Sequence, residues 1–279
     1  MSSYIRFDWA MKNILQYSSN YEILEGLFSV VLNQPIKIFN IFRNIQGNEE
    51  EFDNPFRIDV MATNAQKEII LIELQHHNEK AYFNRVIFGT SNFITKCVNS
   101  KIDCPFVSHI YCINVVHFPL MPSKEKVFCG KRELKAVESQ ELLTHSPFTR
   151  QNFDTSEDFY LYPEYHILCV YGFKEWTKNP LEQWIYYLNT GEIPDSTNTP
   201  GLTEVQRHLN MDWFNESEMK SYYRHLEDLA ILNDNISTGR AEGRVEERWE
   251  NARKMKSIGL SQDVIQQVTG LTVDHLELL

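Results

Sequence analysis

No uninterrupted apolar run in the chain approaches the roughly 18 residues that a membrane-spanning helix needs, so no transmembrane segment is expected. The first residues, MSSYIRFDWAMKN, lack an apolar segment followed by a small-residue cleavage site, so no secretory signal is expected either. Cysteine is scarce. There are five, Cys97, Cys104, Cys112, Cys129 and Cys169, an odd number with no C-x-x-C spacing. That pattern argues against a disulfide framework or a zinc site and for reduced thiols in a cytoplasmic setting. Basic residues are in deficit, 27 against 38 acidic, for a formal net charge of −11. Broad non-specific affinity for nucleic acid is therefore not expected, although local phosphate contacts remain open. What the chain does have is 279 residues, 42% hydrophobic and 13% aromatic. That supplies a sizeable core, so one large domain with or without an appendage is expected, and a disordered chain is excluded.

The most informative stretch is FRIDVMATNAQKEIILIELQ, residues 56–75, which reads as two short strands joined by a polar turn. In the second strand Ile70, Ile72 and Leu74 point one way, and Ile69, Leu71, Glu73 and Gln75 the other. In the first, Arg57, Asp59 and Met61 share a face. Carboxylates inside such apolar strands need a reason, because a buried, unpaired carboxylate is costly. A turn centred on Gln66 sets Asp59 opposite Glu73 on one face, with Cβ atoms roughly 4.5–5.5 Å apart. A half-residue shift separates them. Two carboxylates that close repel unless a cation lies between them, and a hard divalent ion such as Mg²⁺ suits their oxygens. Gln75, on the same face, can orient a water through its amide. The competing reading is a half-solvated hairpin whose acids face water.

The chain in order supplies the setting. Residues 8–17 read as a helix with Asp8 as N-cap or first-turn acid. Residues 21–32 read as a second, with Leu24, Leu27, Phe28 and Val31 inward. Its Glu22 and Glu25 either face solvent or add acid to the carboxylate pair. Residues 36–45 read as a strand or loop. His76 and His77 follow Gln75 directly, and strand alternation lets at most one of them reach the site as a ligand. Residues 79–98 read as a helix with a wide apolar stripe. Arg85, near its start, is placed either to contact a phosphate or to hold an acidic partner. Residues 106–116 read as a central strand. The densest basic cluster follows at 122–135, with Lys131 and Arg132 among its members, as a solvated hairpin or a phosphate-binding loop. A further strand is expected at 165–171 and a helix at 181–188.

Residues 191–201, GEIPDSTNTPG, have the composition of a linker. Polar helices are expected over 203–234. In the tail, Val245, Trp249, Ala252 and Met255 form a narrow apolar seam that calls for a partner helix, in cis or between chains. Two short helices around Gly270 then outline a helix-turn-helix. The second offers Asp274, His275 and Glu277 and no Lys or Arg, so packing or oligomerisation is expected rather than base recognition.

Taken in order, DWAMKNIL, YEILEGLFSVVLN, IDV…IELQ, the helix with Arg85, LEQWIYYL and MKSIGLSQDVIQQVTGLTVDHLELL resemble the PD-(D/E)XK nuclease family transposases, also called Rpn recombination-promoting nucleases. The resemblance covers nearly the whole chain. It implies an α/β restriction-endonuclease-like mixed sheet flanked by helices, with an α-helical C-terminal extension. The division expected from the chain is a nuclease-like domain over 1–190, a linker and core-packing helices over 191–238, and a helical tail over 239–279. The implied activity is Mg²⁺- or Mn²⁺-dependent cleavage of DNA, associated with transposition and recombination. By position, Asp59 and Glu73 are the motif acids and metal ligands, with the Leu74 carbonyl as a further ligand. Arg85, Lys131 and Arg132 are the substrate-binding candidates. Gln75 stands where many nucleases of the superfamily carry lysine, and Ile58 stands in place of the motif proline. An amide positions a water without lending positive charge, so a catalytically weak DNA- or protein-binding module is the alternative.

Overall fold

The computed structural model describes residues 4–15, 21–42, 60–66, 68–76, 81–99, 109–121, 124–130, 163–194 and 197–278. Six strands form one sheet: β1 (Ile38–Phe42), β2 (Val60–Asn64), β3 (Ile69–Gln75), β4 (Ile110–Val116), β5 (Val127–Gly130) and β6 (Glu164–Cys169). Their spatial order is β1-β2-β3-β4-β6-β5. The central β3, β4 and β6 run parallel, while the β1/β2, β2/β3 and β5/β6 pairs are antiparallel. This is the mixed sheet expected from the sequence.

Every residue of β3 and β4 is buried, as parallel strands covered on both faces require. Helix α3 (Tyr82–Asn99) covers one face. Its Phe93 packs with Met61, Ile69, Leu71 and Cys112, and its Tyr82 and Val86 with Val116, Phe118 and Cys169. The reverse face carries Ile70, Ile72 and Ile113, also fully buried. Helices α1 (Phe7–Asn13), α2 (Tyr21–Leu32) and α4 (Pro180–Thr190) contribute most of the other large buried side chains, among them Met11, Leu27, Phe28, Trp184 and Tyr187. Phe7 meets Trp184 edge-on with ring centroids 5.8 Å apart, which ties α1 to α4. Helix α4 has firm ends: the Asn179 side chain accepts a hydrogen bond from the Leu181 amide, Pro180 opens the helix, and Gly191 closes it at φ 73°.

The 191–201 segment has a linker's composition and a core's packing. The Thr197 and Thr199 hydroxyls both donate to Gln183 Oε1, and the Trp184 indole donates to the Pro200 carbonyl at 3.0 Å. Gly201 lies so close to α2 that a Cβ on Gly26 would stand 2.2 Å from the Gly201 nitrogen. Proline and threonine here satisfy buried polar groups instead of spacing two bodies apart. The chain accordingly divides into residues 1–214 and 215–279, where the sequence suggested boundaries at 190 and 238.

The second unit is built on one helix, α6 (Glu216–Ser257), which follows α5 (Leu202–His208) and runs through the 238/239 position with Gly239 and Gly243 inside it. Asn215 and Glu218 form a capping box at its start. Helices α7 (Gln262–Thr269) and α8 (Val273–Glu277) turn around Gly270, at φ 69°, and bring Ile265, Leu271 and Leu276 onto Ala252, with Trp249 and Met255 packed against them. Three of the four seam residues are thus covered in cis, while Val245 is 49% exposed.

Candidate active site

The turn between β2 and β3 is set by one side chain. Asn64 Oδ1 accepts from the Gln66 amide at 3.1 Å and the Glu68 amide at 2.9 Å. The strands then pair Val60 with Ile72, Met61 with Leu71, Ala62 with Ile70 and Thr63 with Ile69. The numbers in every pair average 66, the odd-length turn that the carboxylate pairing requires. Asp59 lies outside the described residues, as do His77, Lys131 and Arg132.

Glu73 lies on the α3 face of β3, beside Asn114 of β4, and is 9% exposed. Arg85, one turn into α3, donates from Nη1 to Glu73 Oε1 at 2.6 Å. The arginine also lies 5.7 Å from the centroid of the Tyr82 ring. Of the two roles open to Arg85 on sequence, the described contact is with the acidic partner. A cleft between β3, β4 and α3 is lined by Glu73, Arg85, Val86, Gly89, Thr90 and Asn114, among others. Cys112 shares this cleft. Burial pushes its thiol up to about 12, opposed by a hydrogen bond with Thr90 and reinforced by the Glu73 charge. Gln75 follows on the same face, 1% exposed, and its carbonyl accepts from the His117 amide at 2.9 Å. Leu74, between them, is paired with Val115 and turns to the reverse face.

Glu73, Gln75 and the strand carbonyls are oxygen donors, which is the chemistry a hard cation takes. A carboxylate has two oxygens and about four acceptor sites, so the Arg85 contact does not by itself use up the ligand. On donor chemistry, Mg²⁺ or Mn²⁺ fits here.

Beside Gln75, on the opposite side of the strand end, is a second polar group. His76 Nε2 lies 3.3 Å from Asp8 Oδ2, Arg6 Nε lies 3.4 Å from Asp8 Oδ1, and His76 stacks on His117 at 4.4 Å. Burial drives His117 down to about 3, helped by the nearby His76 and Arg6 charges and opposed by Asp8. Asp8 is 5% exposed and sits inside the first turn of α1, with Arg6 in the cap position. The sequence marked Asp8 only as a helix-start acid; its pairing with the residue after Gln75 is a tertiary contact with no local signal.

Glu25 is not turned towards Glu73. Its Oε2 holds Lys37 at 2.6 Å and its Oε1 accepts from the Ile38 amide at 2.9 Å, bracing β1 against α2. Glu22 is exposed and acts electrostatically on the same lysine.

A model of the PD-(D/E)XK nuclease family transposases matches residues 5–230 of the 279. No curated protein and no solved structure matches the chain. The matched span runs from α1 into α6 and includes the whole sheet. The order of helices and strands within it is the nuclease-like α/β arrangement, and the chain belongs to the PD-(D/E)XK nuclease family transposases.

Proposed function

We propose that the protein is a Mg²⁺-dependent DNA endonuclease that cuts phosphodiester bonds in support of transposition or recombination. The observation that carries the reading is Glu73: a carboxylate held inside a fully buried strand, with Gln75 two residues on and Arg85 against it. The β2/β3 register is the second support, because it is the register on which the Asp59–Glu73 pairing depends. In this reading Asp59, Glu73 and the Leu74 carbonyl would hold the ion. When bound, it would polarise the scissile phosphate and lower the pKa of water. The Gln75 amide orients the attacking water. Arg85 balances the charge of Glu73, and Lys131 and Arg132 meet the DNA backbone. Water attacks phosphorus and gives up a proton to solvent, the P–O bond to the leaving oxygen breaks, and that oxygen takes up a proton from solvent.

The test is cleavage of supercoiled plasmid by Asp59→Asn and Glu73→Gln proteins. With Mg²⁺ each should fall at least about 100-fold, the size of effect that removing one strong electrostatic contribution gives. Wild-type rates in both variants would sink the proposal.

One observation favours a second reading, a nuclease fold retained for binding DNA or protein. Arg85 already neutralises Glu73 at 2.6 Å, placing fixed positive charge beside the carboxylate meant for the ion. Titration calorimetry with Mn²⁺ separates the two: binding heat that depends on Glu73 supports the enzyme, and none supports the binding module. Self-association through the tail would use exposed Ile258, Val268 and Leu278. Removing residues 239–279 should then lower the number of chains per particle in solution. Among the described residues no helix is long and apolar enough to cross a membrane.

A further inference from the structure

The reverse face of the sheet, away from Glu73, holds a cluster that this activity does not use. Tyr165 and Ile167 of β6 pack on the α3 side, so Glu164 and His166 point the other way. Cys129 of β5 is the direct cross-strand partner of His166. Two positions on one strand and one directly opposite are neighbours on a single face by strand geometry alone. The contacts follow: His166 Nε2 lies 2.8 Å from Glu164 Oε1, and Cys129 Sγ lies 3.6 Å from the same oxygen. One ligand atom from each residue falls within 4.8 Å of the other two. Glu164 and His166 are 5% and 6% exposed, while Cys129 is exposed.

We propose that Cys129, Glu164 and His166 form a zinc-class metal site, separate from the nuclease centre. Thiolate, imidazole and carboxylate together select Zn²⁺ over Mg²⁺, since the sulfur is a soft donor. Tetrahedral bond lengths of about 2.0–2.3 Å put ligand atoms roughly 3.3–3.8 Å apart, so the His166–Glu164 separation must open by about half an ångström and the thiol contact already fits. Three protein ligands leave the fourth position to water, which the exposed thiol side admits.

Surrounding groups fix the ligands as metal sites require. His109, 3% exposed, lies at 3.4 Å from the other carboxylate oxygen, Glu164 Oε2, so the two oxygens face different partners. The Tyr111 ring stands 4.2 Å from His109 and 6.5 Å from His166. Its hydroxyl is pinned by Gln34 at 2.9 Å and Glu68 at 3.2 Å. Binding would replace the thiol proton, released to solvent, with a metal–sulfur bond. It would clamp the four-residue edge strand β5 onto β6. Cysteine spacing misses the site because its ligands come from two distant stretches of chain.

The experiment is a titration of the full-length protein, stripped with a chelator, first with Co²⁺ and then with Zn²⁺. One Co²⁺ per chain should give a thiolate-to-metal charge-transfer band that Zn²⁺ abolishes. Cys129→Ser, a conservative change at an exposed position, and His166→Gln should lose the band; Glu73→Gln should keep it. His109→Gln should keep it too, with Zn²⁺ binding about 10–100-fold weaker. Absence of a charge-transfer band in the wild type, or its persistence in Cys129→Ser, overturns the proposal. Loss of the band in Glu73→Gln overturns the separation of the two centres.

Discussion

Glu73 and Glu164 are both carboxylates set inside strands of one sheet, and opposite means keep them there. Glu73, near the C-terminal end of β3, faces a permanent cation, Arg85 at 2.6 Å. Glu164, at the start of β6, faces two imidazoles and a thiol, groups that can each give up a proton. An arginine cannot be deprotonated in a protein, so the first carboxylate has its charge balanced whatever the pH or metal. The described partners of the second are groups that change state. The difference teaches which kind of ion each can take: hard oxygen chemistry beside Glu73, softer nitrogen and sulfur chemistry beside Glu164.

The comparison breaks most readily at Arg85. Arg85→Leu leaves Glu73 buried without its cation, and loss of one partner of such a pair costs about 3–5 kcal/mol. Urea unfolding should show it directly. In metal-free protein, His166→Gln should cost less, about 1–3 kcal/mol, the usual penalty for disturbing a buried hydrogen bond. The double change Arg85→Leu with Glu73→Leu should recover most of the loss, because an apolar pair of similar volume is often neutral. If Arg85→Leu proves no worse than His166→Gln, the two carboxylates are held alike and the contrast is wrong.

Metal reverses the ranking. Zn²⁺ at 100 times its dissociation constant should stabilise the wild type by about 2.7 kcal/mol, since it binds only the folded chain. Glu164→Gln should remove that gain and Glu73→Gln should not. Thermal unfolding with and without Zn²⁺ measures both. An equal gain in Glu164→Gln would place the bound zinc elsewhere.

Much of the Glu73 side was legible in the sequence and little of the Glu164 side, for one physical reason. Alternation in IILIELQ identified the strand, the polar turn fixed its register, and Glu73 stood out as a carboxylate among aliphatic residues. The same signal is present in EYHILC, where Glu164 and His166 alternate with Tyr165 and Ile167. There the partner strand is the short VFCG, whose two apolar residues lie among glycine, lysine and arginine. Without that pairing, Cys129 carries no sign of its neighbours. The 191–201 segment misled in the opposite way, because composition reports what a stretch tolerates and not what packs on it. Asp8 and His76 meet only through the fold.

Acid should separate the two ends of β3 and β4 further. His117 is held neutral, its pKa lowered from 6.5 to about 3, mainly by burial. The unfolded chain therefore binds a proton here that the folded chain refuses. Stability contributed by this group is complete above about pH 6.5 and is lost as pH falls towards 3. Between pH 7.5 and 5 the loss should reach about 2 kcal/mol, at 1.36 kcal/mol per pKa unit. His117→Asn should flatten that limb in urea titrations across the range. An unchanged slope would mean that His117 is solvated.

The smallest effect concerns two thiols, one beside each carboxylate. The Cys112 thiol is 3% exposed and pushed up to about 12 by burial, with the Glu73 charge adding. Almost none of it is thiolate at neutral pH, and the thiolate is the nucleophile. Cys129 is exposed beside Glu164. In native protein an alkylating reagent, followed by peptide mapping, should mark Cys129 first and leave Cys112 unmarked until urea opens the α3 face. Zn²⁺ should protect Cys129 and leave the Cys112 rate unchanged, because the two thiols lie on opposite faces of the sheet. Equal rates without urea would show that the cleft beside Glu73 is open to solvent. A buried, Arg-balanced carboxylate could not then be the feature that separates this centre from the other.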